Sequence, residues 1–438
     1  DSVEHLRNTM RYAMFYLSAF FCLTTPDYLL AQVPKTTSGP SDVQQARDIT
    51  ADKLASVDQF LSDAVSKRRI VGASTLIIQD GREVFFDSWG DQDREQQIPI
   101  SRSTIFRIYS MTKPVTSVAA MQLVEQGKMS LDDPVENYLP SFKDLKIYGS
   151  RKPRKEKEAK PRKMTIRDLL RHTSGLTYGF FDMTHPLDQM YLQRDLSHTS
   201  KNLKEFVEKL SELPLKHAPG THFEYSLSTD VLARLIEVVS GERFDRYLRK
   251  NIFDPLGMND TSFVVPANER DRLAAMYSDD GTGKLILSDP ETSANFTNDS
   301  LLFFSGGGGL CSTVDDYAKF AKMLISRGRT PEGVRIIGAE TLQEMYTDQL
   351  AGIEKPKAGV LTVRAPWHAE NFRFGLGFSI GQTKWGDDYT WNGIAGTQFW
   401  VNPGAGTIII YMVQVFPLIG HDLAGEVRRL VYEAMEAK

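Results

Sequence analysis

The sequence predicts an α/β (α+β) protein, an antiparallel sheet flanked by helices that carries an inserted α-helical domain. Two β-rich runs near the start, residues 73–79 and 84–89, flank Asp80-Gly81-Arg82, and an Asp-Gly turn between such runs signals a hairpin. The same grammar returns near the end, where residues 398–402 and 407–413 flank Pro403-Gly404-Ala405-Gly406 and a helix continues over 422–437. Between them, residues 136–300 show helix and loop patterns with few convincing strands. Strands at both ends of a chain, with helices outside them, imply a sheet with helices packed on it.

The first 48 residues read as a leader and linker. The apolar run from Tyr12 to Leu23 comes after Met10-Arg11; it is too short to span a bilayer and has the length of a signal-peptide core. Export to the periplasm or medium is therefore expected, with Ala31 as a small residue for cleavage. An uncleaved leader on a cytoplasmic protein is the alternative, and no stable membrane span is expected. A helix over 49–68 places Leu54, Val57, Phe60, Leu61 and Val65 at spacings of three and four. Residues 49–135 and 306–438 are assigned to the sheet domain and 136–305 to the helical insertion. Within the insertion, 164–171 and 227–239 are amphipathic, with Leu232, Leu235, Ile236 and Val239 as the second helix's buried stripe. The stretch 151–163 is rich in Lys and Arg and reads as a solvated loop.

Composition narrows the function. At 438 residues, 41% hydrophobic and 25% charged, the chain is globular. A net charge of −4 gives no ground for a nucleic-acid partner, so a small-molecule partner is expected. The two cysteines, Cys22 and Cys311, make no disulfide framework, and no paired-cysteine or HExxH spacing appears. His217 and His222 are too far apart for a one-face helical pair. Neither a metal nor a cofactor is expected.

Chemistry concentrates in three places. Ser110 and Lys113 lie three apart at the start of a helix continued by the apolar run 118–124, so the amine can reach the hydroxyl. A serine hydroxyl needs a nearby base, and a lysine serves only if its pKa is lowered, as burial at the root of an apolar helix does. The helix N-terminus also favours negative charge developing near Ser110. In the second, the Pro219-Gly220 turn delivers Tyr225 just before a helix starting near Ser228; alone, Tyr225 reads as a core or capping tyrosine. The third runs from Trp391 to Phe399, where Gly393 lets an edge backbone approach a substrate and its amides can supply half of an oxyanion hole. Alone, it is an ordinary glycine-containing turn. Gly377-Phe378-Ser379-Ile380-Gly381 matches the nucleophile elbow of α/β-hydrolases, which needs a long helix directly after it. Here Lys384-Trp385-Gly386 comes soon after the motif, and a strand and turn suit that stretch better than a helix.

Taken in order, Ser-x-x-Lys, Tyr225 and the aromatic-x-Gly strand resemble the serine β-lactamase and penicillin-binding-protein superfamily. Within it the chain is similar to the class C branch and to the family VIII carboxylesterases. The resemblance spans roughly residues 50 to 435 and includes His172-Thr173-Ser174-Gly175-Leu176, Asp254-Pro255-Leu256-Gly257-Met258 and Ser305-Gly306-Gly307-Gly308-Gly309-Leu310. It implies a β-lactamase/transpeptidase-like fold in which Ser110 attacks an acyl carbon and Lys113 and Tyr225 share the proton work. It also implies that the amides of Ser110 and Ile394 bind the oxyanion, and that Tyr225 helps to activate water. Two positions depart from class C lactamases, which carry Asn where this chain has Leu227 and Lys-Thr-Gly where it has Trp391-Asn392-Gly393. Losing that lysine weakens the anchor for a β-lactam carboxylate, whereas a tryptophan builds an apolar wall, as is common in the esterase branch. The expectation is a carboxylesterase acting on small neutral acyl esters. A β-lactamase or D-alanyl peptidase is the alternative, and an idle, penicillin-recognising scaffold the third reading.

Overall fold

The computed structural model describes residues 49–50, 52–149, 162–182, 184–289, 294–356, 369, 371–416 and 422–436. The expected leader, Cys22 and the basic stretch from Arg151 to Pro161 lie outside them.

In chain order, α1 (Ala55–Ser66) precedes β1 (Gly72–Gln79), β2 (Arg82–Asp93), β3 (Ile98–Pro99) and β4 (Phe106–Arg107), and then comes α2 (Thr112–Glu125). The middle of the chain supplies α3 (Ile166–Leu170), α4 (Pro186–Arg194), α5 (Leu196–Thr199), α6 (Leu203–Leu210), α7 (Ser228–Ser240) and α8 (Phe244–Leu248), with one short hairpin, β5 (Tyr277–Asp279) and β6 (Leu285–Leu287). The last part holds β7 (Cys311–Ser312), α9 (Val314–Ile325), α10 (Ala339–Met345), β8 (Arg373–Phe374), β9 (Ser379–Thr383), β10 (Gly386–Asn392), β11 (Gln398–Asn402), β12 (Thr407–Val413) and α11 (Leu423–Glu436).

Eight strands form one sheet in the order β3-β2-β1-β12-β11-β10-β9-β8, with antiparallel pairing throughout. The two ends of the chain meet at its centre, where β1 pairs with β12 from Ala73↔Val413 to Gln79↔Thr407. The first hairpin turns on Asp80 and Gly81 alone, with φ of 48° and 79°, the left-handed pair that a two-residue turn requires. Pairing therefore resumes at Arg82 rather than Val84, and β2 runs on to Asp93.

The central strands are buried on both faces, and their side chains part with period two. Ile77, Ile409, Tyr411 and Val413 pack with Leu61 of α1 and Val431 of α11. Leu76, Ile78, Ile408, Ile410 and Met412 point the other way, into a larger core holding Val118 of α2 and Phe320 of α9. Helix α2 is buried from Thr112 to Leu123, as a helix enclosed between layers must be. In α7 the stripe Leu232, Leu235 and Ile236 is buried, whereas Val239 is only half-buried because the helix ends at Gly241, in the left-handed C-terminal conformation. Helix α3 starts at Ile166, two residues later than the pattern suggests, because Thr165 and Asp168 form a reciprocal capping box there. Among the described residues, no helix is long and apolar enough to cross a membrane.

Candidate active site

The strand β4 ends against β7, and the Ile108 amide donates to the Leu310 carbonyl at 3.0 Å. The chain then turns at Tyr109, whose φ of 41° is costly for a residue with a side chain and must be held by its surroundings. The Tyr109 ring is held against Phe296 and Phe416. A single 3-10 turn, Tyr109–Met111, carries Ser110 to the mouth of α2 and leaves it half-buried.

Lys113, one turn on, is buried. Its Nζ lies 3.0 Å from Ser110 Oγ and donates to the Gly307 carbonyl at 2.6 Å. Burial pushes the amine down to about 7, and the Asp230 carboxylate opposes that shift. The same Nζ lies 4.6 Å from the centroid of the Tyr225 ring and 5.2 Å from that of Tyr178.

Tyr225 arrives by the turn at Gly220 (φ 78°), three residues before α7 begins at Ser228. Its hydroxyl is hydrogen-bonded to Ser110, and it accepts a hydrogen bond from Trp391 Nε1 at 3.1 Å. Burial holds the phenol well above its ordinary value. Trp391 lies in β10 beyond Thr390, the last residue that pairs with β9, so Trp391 and Asn392 keep a strand partner only on the β11 side. The Trp391 ring lies with its centroid 5.2 Å from that of Tyr225. A Cβ at Gly393 would stand 2.5 Å from the Ile108 carbonyl and 2.3 Å from Thr397 Oγ1, so only glycine lets this backbone approach the turn that presents Ser110. Among the described residues, neither the Ser110 amide nor the Ile394 amide has an acceptor. The fold thus brings Ser110, Lys113, Tyr225 and Trp391 into side-chain contact and sets the Gly393–Ile394 backbone beside them. Gly393→Ala is expected to cost about 1–3 kcal/mol through overpacking and to lower turnover by displacing the Ile394 amide; thermal unfolding and turnover measured on one preparation check both.

Ser379 is elsewhere. It begins β9, in register with Thr390 and Phe374, and it continues into a strand rather than a helix. Ser379→Ala is expected to keep most turnover, and a loss comparable to that of Ser110→Ala would reassign the nucleophile.

Three neighbours were invisible as such in the sequence. Gly307 accepts from Lys113, and Asp230 accepts from the Gly307 amide at 3.1 Å and from Ser305 Oγ at 2.6 Å. Asp230 reads locally as a first-turn carboxylate of α7, and the glycine run only as part of a family pattern. His172 packs its ring 4.9 Å from that of Tyr225, its Nδ1 lies 3.3 Å from Ser226 Oγ, and burial pushes it well below its usual value. Leu227 is buried at the N-cap of α7 and puts no amide where class C lactamases carry Asn.

The family profile described as Beta-lactamase matches residues 57–432. Protein Rv1367c of Mycobacterium tuberculosis (strain ATCC 25618 / H37Rv) is 32% identical over 370 residues, covering 81% of this chain and 88% of its own length. Esterase EstB of Burkholderia gladioli is 33% identical over 230 residues, 52% of this chain and 56% of that protein. Among solved structures, EstCE1, a hydrolase with promiscuous acyltransferase activity, has the same fold, with a TM-score of 0.70 at 24% identity over 91% of this chain and 100% of its own. With a profile match that runs from α1 to α11, this chain belongs to the beta-lactamase family.

Proposed function

We propose that this chain is a serine carboxylesterase that cleaves small neutral acyl esters through an acyl-enzyme on Ser110. The observation that carries the reading is the Ser110 hydroxyl held between two groups of opposite use. On one side is a buried amine with a pKa of about 7, on the other a protonated phenol. Trp391 Nε1 is a donor only, so the Tyr225 oxygen accepts from it and keeps its own proton for Ser110 or a leaving group. Lys113 gives one N–H to Gly307 and, when neutral, turns its lone pair to Ser110.

Ser110 Oγ then bonds to the acyl carbon and its proton passes to Lys113. The ester C–O bond breaks, and the leaving alkoxide takes a proton from the Lys113–Tyr225 pair. Water next attacks the acyl carbon and gives a proton to that pair. The bond from the acyl carbon to Ser110 Oγ breaks, and Ser110 Oγ takes the proton from the pair as the acid leaves. The amides of Ser110 and Ile394 are assigned to the oxyanion.

Ester rather than lactam is favoured by Trp391, an apolar ring with one neutral N–H at a position where a carboxylate-bearing lactam needs a cation. The similarity to Esterase EstB supports the same choice. Turnover of a p-nitrophenyl acyl ladder beside a chromogenic cephalosporin tests it. The best ester is expected to win; a cephalosporin turned over faster would make the chain a β-lactamase or D-alanyl peptidase with the same apparatus.

A further inference from the structure

Asp230 is 3% exposed in the first turn of α7, and its partners are donors rather than a cation. Oδ1 accepts from Ser305 Oγ and from the Gly307 amide, and no ion pair to it occurs among the described residues. Gly307 is the hinge of the arrangement. Its amide is held by Asp230 and its carbonyl takes the Lys113 amine, so the backbone of one residue joins the carboxylate to the base. The fit leaves no room for a side chain, since a Cβ at Gly307 would stand 2.6 Å from Asp230 Oδ2 and 3.0 Å from the Tyr178 hydroxyl. A carboxylate buried without a paired cation is costly, and a purely structural site would be served as well by an amide or by packing.

We propose that Asp230 is a positioning residue of the Ser110–Lys113 pair: through Ser305 and Gly307 it aims a backbone carbonyl at the Lys113 amine, and it supplies the buried counter-charge that sets when that amine acts as a base. The proposal rests on Ser110 as nucleophile and Lys113 as its base. Lys113 is faced by Ser110, the Gly307 carbonyl and the rings of Tyr178 and Tyr225, and its charge is felt at His172. Of these groups and Asp230, only the carboxylate carries negative charge. Its effect on Lys113 is upward, against burial, and Lys113 in turn opposes the rise that burial imposes on Asp230.

Asp230→Asn keeps an acceptor for Ser305 and Gly307 but removes the charge. Isotope-edited NMR of the lysine ε-carbons in the full chain, with Lys113 assigned by Lys113→Arg, reads its titration directly. The midpoint is expected to fall by about one pH unit or more on removing an opposite charge. The acid limb of Ser110 labelling by a fluorophosphonate should move with it, whereas Asp230→Ala should also lower the high-pH labelling rate by freeing Gly307. If Asp230→Asn does not fold, Ser305→Ala, which removes a donor that favours the ionised carboxylate and so lets Asp230 take up its proton more readily, should shift Lys113 the same way by less. An unmoved Lys113 midpoint in a folded variant overturns the proposal, as does a wild-type chain whose Ser110 never labels. A chain that labels, and whose Lys113 midpoint moves, but that cleaves no ester leaves the proposal standing and refutes the esterase reading instead.

Discussion

Ser110→Ala is expected to lower kcat/KM for a p-nitrophenyl ester by at least about 10⁴-fold, because it removes the hydroxyl that meets both Lys113 and Tyr225. In free energy that is about 5.5 kcal/mol of lost transition-state stabilisation. The substitution removes one half-buried hydroxyl and should leave the unfolding temperature nearly unchanged. Groups that act as a unit are not additive. Ser110→Ala combined with Lys113→Ala should therefore be little worse than Ser110→Ala alone. A double variant as slow as the product of the two single losses would place Lys113 in a separate role.

Lys113→Ala is expected to lower kcat/KM by about 10²–10⁴-fold, the usual range for a positioned base. It should also change the shape of the pH profile. The amine takes the Ser110 proton only when neutral, and burial has brought it down to about 7. In the wild-type chain kcat/KM should therefore rise as pH passes upward through about 7 and level above it, falling tenfold per unit on the acid side. The variant should lose that limb. If its activity returned to the wild-type plateau merely on raising the pH, hydroxide would suffice and Lys113 would not be the base. A wild-type profile flat across that region would mean that the amine titrates elsewhere.

Much of this was legible because it is local. Period-two alternation, an Asp-Gly turn and a three-residue helical spacing are properties of short windows, and each carries its own geometric consequence. So β1 and β2 appeared where the β-rich runs lie, and Lys113 met Ser110 because residues three apart share a helix face. The misplaced edges have local causes as well. Arg82 joined β2 because the turn uses only two residues, and α3 began late because Thr165 caps it. His217 and His222, which no helix could set side by side, stack with ring centroids 4.0 Å apart once the chain around them is folded.

The sequence by itself determined the strands at both ends of the chain, the amphipathic helices between them, and the Ser110–Lys113 pair poised at a helix mouth. Tertiary structure alone decided the surroundings that give that pair its chemistry. Trp391 reaches Tyr225 across 166 positions and Gly307 reaches Asp230 across 77, separations over which no periodicity persists. The burial that brings Lys113 to about 7 comes with the Gly307 backbone and the Tyr178 and Tyr225 rings packed around it, none of them beside it in sequence. A side chain's type and spacing are written in the chain, but its dielectric surroundings and distant partners exist only once the layers have packed.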